Sequence, residues 1–210
     1  IMVDYTVLYV LALSLCFGLV GFLDDFYKLK FKRNLGLTSL QKAMLQMAVS
    51  ALYLYLLYKQ GIMTCDLYIP FVNISLTIHP IVYIFFAMFV MVGCVNAVNI
   101  TDGVDGLCGS VTIPVMIFFT AVAYMKNQLD IALMPAALVG GLIAYLFYNW
   151  HPAKVFMGDT GSLFLGGLAC ALLLHAGSPL LIILMGIVWL LEGLSVMLQV
   201  FSFKVFGKRI

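Results

Sequence analysis

Residues 78–106 read IHPIVYIFFAMFVMVGCVNAVNITDGVDG. No Asp, Glu, Lys or Arg falls between positions 78 and 98, and a run of about 20 apolar residues is what a helix needs to cross the hydrocarbon core of a bilayer. The run ends in a polar ladder. Asn96, Asn99, Asp102 and Asp105 recur every third residue, so on a continuous helix they would share one slowly drifting face. Gly103, Gly106 and Gly109 form a second row with the same spacing, where a backbone or a ligand could approach closely. A loop of turn formers is the plain alternative, but an ordinary turn does not need amides and carboxylates in register at the end of a membrane span.

Composition extends this reading to the whole chain. Of 210 residues, 64% are hydrophobic and 10% charged, against about 25% charged in soluble domains, so the expected class is an all-α, polytopic membrane protein. The net charge of +2 implies no nucleic-acid partner. Cys16, Cys94 and Cys170 lie in apolar runs, Cys65 in a loop and Cys108 beside the polar ladder. No CxxC pair is present, and these cysteines read as packing residues. The first apolar run has no basic leader and leads straight into Asp24-Asp25, which reads as a span and not as a cleavable signal.

Seven spans are expected, over residues 5–23, 43–57, 78–98, 111–124, 131–148, 163–175 and 179–201. Alternation puts 24–42, 99–110, 149–162 and the segment after 201 on one side. That side carries Lys28, Lys30, Lys32, Arg33, Lys42, Lys154, Lys204, Lys208 and Arg209, and the other only Lys59 and Lys126. Cytoplasmic loops carry the Lys/Arg excess, so the first side is expected to be cytoplasmic. Asp24, Asp25, Asp102, Asp105 and Asp159 all fall at span ends on this same side, whereas Asp4, Asp66 and Asp130 fall on the other. The positive-inside rule does not require acids there.

Three further motifs accompany the ladder. Gly21-Phe22-Leu23-Asp24-Asp25-Phe26-Tyr27-Lys28 places two carboxylates and a lysine at a span end, which alone could be a solvated helix terminus. Asn149-Trp150-His151-Pro152-Ala153-Lys154-Val155-Phe156-Met157-Gly158-Asp159-Thr160-Gly161-Ser162 runs into an apolar helix. Asp159, Thr160 or Ser162 could cap that helix, whose start favours anions. In the last span Glu192, Ser195, Gln199 and Ser202 form one polar stripe. An acid inside a membrane span points to function, with pairing to a lysine as the structural alternative. His79 and His175 read as structural, and His151 stays open.

Gathered carboxylates repel one another and repel phosphate unless a divalent cation joins them. Mg²⁺ takes oxygen ligands, typically one or two carboxylates plus substrate phosphates, and phosphoryl transfer needs positioning and charge neutralisation above all. Lys28 and Lys42 can offset phosphate charge, and a spare Asp can orient or deprotonate an attacking group. At the membrane interface a soluble nucleotide can meet a lipid-borne phosphate. The residues alone therefore point to an interfacial phosphotransferase.

The motifs Asp24-Asp25-x-x-Lys28, Asn96-Ala97-Val98-Asn99-x-Thr101-Asp102-Gly103-x-Asp105-Gly106-Leu107 and Phe156-Met157-Gly158-Asp159-Thr160-Gly161-Ser162 resemble the signatures of the polyprenyl-phosphate N-acetylhexosamine-1-phosphate transferase family. Gly36-Leu37-Thr38 with Lys42, Asn149-x-His151-Pro152-Ala153 and Glu192-x-x-Ser195-x-x-x-Gln199-Val200 are most similar to its bacterial phospho-N-acetylmuramoyl-pentapeptide transferase branch. The resemblance covers essentially the whole chain. It implies a multi-pass protein of the bacterial inner membrane with its active site on the cytoplasmic face. Phospho-N-acetylmuramoyl-pentapeptide (phospho-MurNAc-pentapeptide) would move from UDP-MurNAc-pentapeptide to undecaprenyl phosphate, giving lipid I and UMP in peptidoglycan synthesis, with Mg²⁺ as cofactor. By motif, Asp159 would be the Mg²⁺ ligand, and Asp24, Asp25, Asp102 and Asp105 the catalytic acids around the phosphates. Phe156 would stack on uracil, and Lys28, Lys42, Asn99, Gly103, Asn149, Gly158, Ser162 and Gln199 would line the nucleotide site. The base is left open, as is the oligomeric state, with a homodimer among the options.

The family carries helices before the position of Ile1, and a histidine-rich loop and last helix after Lys208-Arg209. Residues 1–210 are therefore expected to be one transmembrane transferase domain that is part of a longer protein. A sister transferase using UDP-GlcNAc is the alternative within the family. The alternative outside it is an ion-coupled transporter, but a transporter site belongs near the midplane, and these acids lie at helix ends on one side. No internal repeat of the transporter kind is found.

Overall fold

The structure is a computed structural model that describes residues 6–32, 35–69, 72, 74–177 and 179–208. Ile1, Asp4, Arg33 and Arg209, named above, lie outside the described residues. The elements run α1 (Thr6–Phe31), α2 (Ser39–Lys59), β1 (Asp66–Ile69), β2 (Ile74–Thr77), α3 (Pro80–Thr101), α4 (Leu107–Met125), α5 (Leu129–Asn149), α6 (Gly158–His175), a 3₁₀ turn (Pro179–Leu181), α7 (Ile182–Met185) and α8 (Ile187–Phe206). Seven of these helices are long and apolar enough to cross a membrane. The chain is an all-α integral membrane protein, with one small antiparallel hairpin among the described residues that pairs Asp66 with Thr77.

The helices outrun the apolar segments that announced them. α1 continues past Leu23 to Phe31 because Lys28 sits one turn beyond the acids, 2.6 Å from Asp24 Oδ2 and 3.2 Å from Asp25 Oδ1. Helical spacing brings these charges together. α2 begins at Ser39 behind a capping box: Gln41 N donates to Thr38 Oγ1 at 3.2 Å and Thr38 N to Gln41 Oε1 at 3.0 Å. Two terminal donors are satisfied at once.

Two expectations are corrected. The last span is not continuous over 179–201. It opens as a 3₁₀ turn at Pro179, passes through α7 and breaks at Gly186 before α8 begins. A Cβ at Gly186 would lie 2.9 Å from Ile182 O and 3.0 Å from the Trp189 ring, so a side chain there would crowd both neighbours. The polar ladder is not one helical face either. α3 stops at Thr101, with Asp102 as its C-cap, and α4 starts after Gly106 at φ +73°. Asn96 and Asn99 share a face of α3, while Asp105 and the row of glycines turn away with the chain.

α6 is the central element: 61% of its spanning window is buried, against 17–39% for the other six. Helices in lipid gain little from apolar burial against one another and associate through close packing of small residues. Gly167 meets Phe17 of α1, and Gly166 meets the main chain of Val95 in α3, where added Cβ atoms would fall 2.9 and 2.8 Å away. At Gly21 a Cβ would overlap the carbonyl of Asp159, so only glycine lets α1 cross the start of α6 this closely. α8 touches α3 through Gly193 and Ala97 and leaves most of its apolar side chains exposed.

Candidate metal and phosphate site

At one end of the bundle α1, α2, α3 and α6 converge. There, Asp24 and Asp25 come from α1, Lys42 from α2, Asn99 from α3, and Asp159 and Ser162 from α6. Asp159 Oδ2 receives both Lys28 and Lys42 at 2.9 Å, while its Oδ1 accepts Asn99 Nδ2 at 2.8 Å. Asn99 Nδ2 also lies 2.8 Å from Ser162 Oγ, which donates to Gly158 O at 2.9 Å. One oxygen from each of Asp24, Asp25 and Asp159 falls within 4.8 Å of the others. Lysine ammoniums compensate these acids, as partly buried charges require.

The two α1 acids are anchored differently. Asp24 is 4% exposed and accepts Leu37 N at 2.8 Å. Its carbonyl and side chain fill the space beside Gly36, where a Cβ would lie 2.5 Å from Asp24 O. Asp25 Oδ2 accepts Thr160 N at 3.0 Å and Thr160 Oγ1 at 2.9 Å. Among the described residues the α6 N-terminus is therefore capped by an acid from α1, and Asp159 and Ser162 are freed for other partners. The carboxylate is favourable there because free N–H groups and the helix dipole face it. Gly158, at φ +65° with a Cβ position only 2.9 Å from Asp25 Oδ2, makes room for that contact.

Asp102 and Asp105 part company. Burial, with the charges of Asp159 and Asp25 nearby, pushes the Asp102 carboxyl up to about 7. Asp105 accepts Ala153 N at 3.0 Å and pairs with the His151 ring at 3.1 Å. These bonds, the Ala153 one first, hold it below the usual carboxylate range. Asp105 thus ties the 102–106 turn to the loop before α6, outside the Asp24–Asp25–Asp159 group. Gly103 lies in the same turn, with a Cβ position 3.1 Å from Ile100 O.

The residues expected to hold a nucleotide are scattered more widely. Phe156 is 59% exposed in the loop leading to α6, free to stack on a planar ring. Asn149 is buried, its Oδ1 accepting Gly106 N and its Nδ2 donating to Val155 O, both at 2.9 Å. It fastens the loop that carries Phe156. Gln199 lies exposed on α8 and donates to Ser195 Oγ at 3.2 Å, with no hydrogen bond to the four-helix corner among the described residues. Glu192 makes no hydrogen bond or ion pair among the described residues, so no lysine partners it. Sequence reading passed over Thr160 and Leu37 as partners of the acids. Backbone donors carry no side-chain signal, and Thr160 showed only as a candidate cap.

Lys126 and His175 mark the opposite end of the bundle, where Lys126 Nζ reaches Ala176 O at 3.4 Å and His175 pairs with Gln128 at 3.1 Å. The turns after α4 and α6, which the alternation puts on one side, thus lie together.

The profile of glycosyl transferase family 4 matches residues 7–177. Proteins named phospho-N-acetylmuramoyl-pentapeptide-transferase are 45% identical to the chain in three bacteria. In Caldanaerobacter subterraneus subsp. tengcongensis the match spans 200 residues, 95% of this chain and 62% of the relative. In Clostridium acetobutylicum it spans 194 residues, 92% and 61%. In Listeria monocytogenes serotype 4b it spans 201 residues, 95% and 61%. The chain thus spans about three-fifths of the length of these curated relatives. Agreement of the profile, these relatives and the motif residues with the resemblance drawn from the sequence places the chain in glycosyl transferase family 4.

Proposed function

We propose that the protein of which this chain forms part transfers phospho-MurNAc-pentapeptide from its UDP carrier to undecaprenyl phosphate at the cytoplasmic face of a bacterial inner membrane. The observation that carries the reading is the meeting of Asp24, Asp25, Lys28, Lys42, Asn99, Asp159 and Ser162 at one end of four spanning helices. The names of the relatives supply the substrate class. A phosphate oxygen of the lipid attacks the sugar-linked phosphorus of the donor. The bond between the two nucleotide phosphates breaks, and UMP leaves.

Asp159, with Asp24 and Asp25, would hold Mg²⁺. Their oxygens are close enough to share one ion, carboxylate oxygen suits that metal, and all three carboxylates already converge on the Lys28 ammonium. The ion supplies charge neutralisation at the phosphates. Lys28 and Lys42 bring further positive charge to the reacting phosphates. Asn99 and Ser162 fix the orientation of Asp159. Phe156 offers its face to uracil, and Gly103, Gly158, Asn149 and Gln199 complete the expected nucleotide side, Asn149 through the loop it fastens. Asp102 would orient the acceptor phosphate. An ionised phosphate nucleophile needs no base.

The test is transfer of labelled phospho-MurNAc-pentapeptide into a lipid-extractable product by the full-length protein. Product is expected with Mg²⁺, and its loss with EDTA or Asp159→Asn. Transfer from UDP-GlcNAc in its place would keep the family and change the donor. Inactivity with both donors in a well-folded preparation would overturn the reading.

A further inference from the structure

One polar pair lies outside the site just described. Gln46 on α2 is fully buried, in a span that faces lipid over much of its surface. Its amide and that of Asn96 on α3 bond reciprocally: Asn96 Nδ2 donates to Gln46 Oε1 at 2.7 Å, and Gln46 Nε2 donates to Asn96 Oδ1 at 3.3 Å. Asn96 Nδ2 also donates to Val92 O at 2.8 Å. That third bond fixes which way the Asn96 amide faces, and so the orientation of Gln46. A flipped amide at either position would set like atoms against each other.

The geometry makes this pair one rung of two. Gln46 lies one helical turn after Lys42, and Asn96 one turn before Asn99. α2 and α3 therefore meet through Gln46–Asn96 within the membrane and through Lys42–Asn99 at 3.4 Å at the site. The outer rung is long and weak. Among the described residues α2 makes no other side-chain hydrogen bond to a neighbouring helix below Lys42. α2 is also lightly held, with 28% of its spanning window buried. Lys42 ends a flexible four-carbon stem, and its reach to Asp159 depends on where its helix stands. Polar side chains bonded across helices in lipid fix register, since the alternative is an unsatisfied polar group.

We propose that Gln46 is a positioning residue: its reciprocal amide pair with Asn96 sets the register of α2 on α3 and so holds the Lys42 ammonium on Asp159. The consequence for catalysis rests on the proposed transferase reading; the consequence for Lys42 does not. Lys28 reaches Asp159 from α1 and serves as an internal reference, because nothing about α2 should move it.

The experiment is zero-length carbodiimide coupling in the detergent-solubilised full-length protein, with the Lys42–Asp159 and Lys28–Asp159 cross-linked peptides quantified by mass spectrometry. In Gln46→Leu the Lys42 product should fall at least about tenfold relative to the Lys28 product, since a misplacement of about 1 Å can cost reacting groups on the order of 100-fold in rate. The exchanged pair, Gln46→Asn with Asn96→Gln, keeps both amides and should restore the ratio to within about threefold, a residue of imperfect repacking. If lipid-linked product is formed by the parent, its turnover should follow the same order. An unchanged ratio in Gln46→Leu overturns the proposal. So does failure of the exchanged pair to restore the ratio in a protein whose Lys28 product is normal. An inactive parent with the predicted cross-linking pattern would sink the transferase reading and leave the register role standing.

Discussion

Two acidic regions lie at the same end of the bundle and behave differently. In the α1–α6 corner, Asp24, Asp25 and Asp159 are crowded, partly buried and compensated by two lysines. In the 102–106 turn, Asp105 is tied to an exposed histidine and a backbone amide. The two regions differ in how many helices supply them. A corner built where four helices meet forces charges together and leaves them dependent on a cation. A turn on one connection lets each acid find its own local partner. Asp102 stands between the two, on the turn but within the field of the corner.

The largest test of this contrast is charge removal in the corner. Asp159→Asn should lower transfer by about 10³-fold, the scale of losing a group aimed at developing phosphate charge, as read by the lipid-extraction assay. Gly21→Ala comes next. Its new methyl group would overlap the Asp159 carbonyl, so α1 must shift on α6. A misplacement of this kind near reacting groups costs on the order of 10²-fold in rate, and overpacking about 1–3 kcal/mol of stability, seen as a lower Tm in detergent. Asp105→Asn should cost only about tenfold, the value of a charge-assisted hydrogen bond that steadies a loop. His151→Ala should resemble it.

The smallest effect is a pH dependence at Asp102. Its carboxyl is raised from 3.8 to about 7 in the folded protein, so the folded state holds its proton more tightly than the unfolded chain does. Stability therefore falls as pH climbs from 3.8 to about 7 and stays level above it. Asp102→Asn should melt higher than the parent at pH 8 in metal-free buffer, by the equivalent of about 1 kcal/mol, since solvent contact discounts the full shift. At pH 4 the two should match. An equal gain at both pH values would assign the effect to something other than titration.

Much of the corner could be read from the sequence because each member sat at a span end. Once basic residues fixed the sides, Asp24, Asp25, Lys28, Lys42, Asn99, Asp159 and Ser162 had to share one face of the membrane, and motif spacing did the rest. The shared face of the polar ladder stops short of Asp105 because three-residue spacing marks a common face only while the helix lasts, and α3 ends at Thr101. Asn149 belonged to a motif, but its task of bracing Gly106 and Val155 depends on main-chain positions that have no signature. The break at Gly186 was hidden for a related reason: a glycine in an apolar run reads as tolerated until its neighbours Ile182 and Trp189 are seen to crowd it. Gln46 could have been noticed as an amide in an apolar span one turn from Lys42, but only the Asn96 contact gives it meaning.

The most direct measurement of the central claim, that the α1–α6 corner and not the neighbouring turn is the cation site, is Mn²⁺ binding by electron paramagnetic resonance to the purified full-length protein and two of its variants. The account predicts one protein-bound Mn²⁺ in the parent, its loss in Asp159→Asn and its retention in Asp105→Asn. Retention of Mn²⁺ by Asp159→Asn together with its loss in Asp105→Asn would contradict it and move the metal to the 102–106 turn.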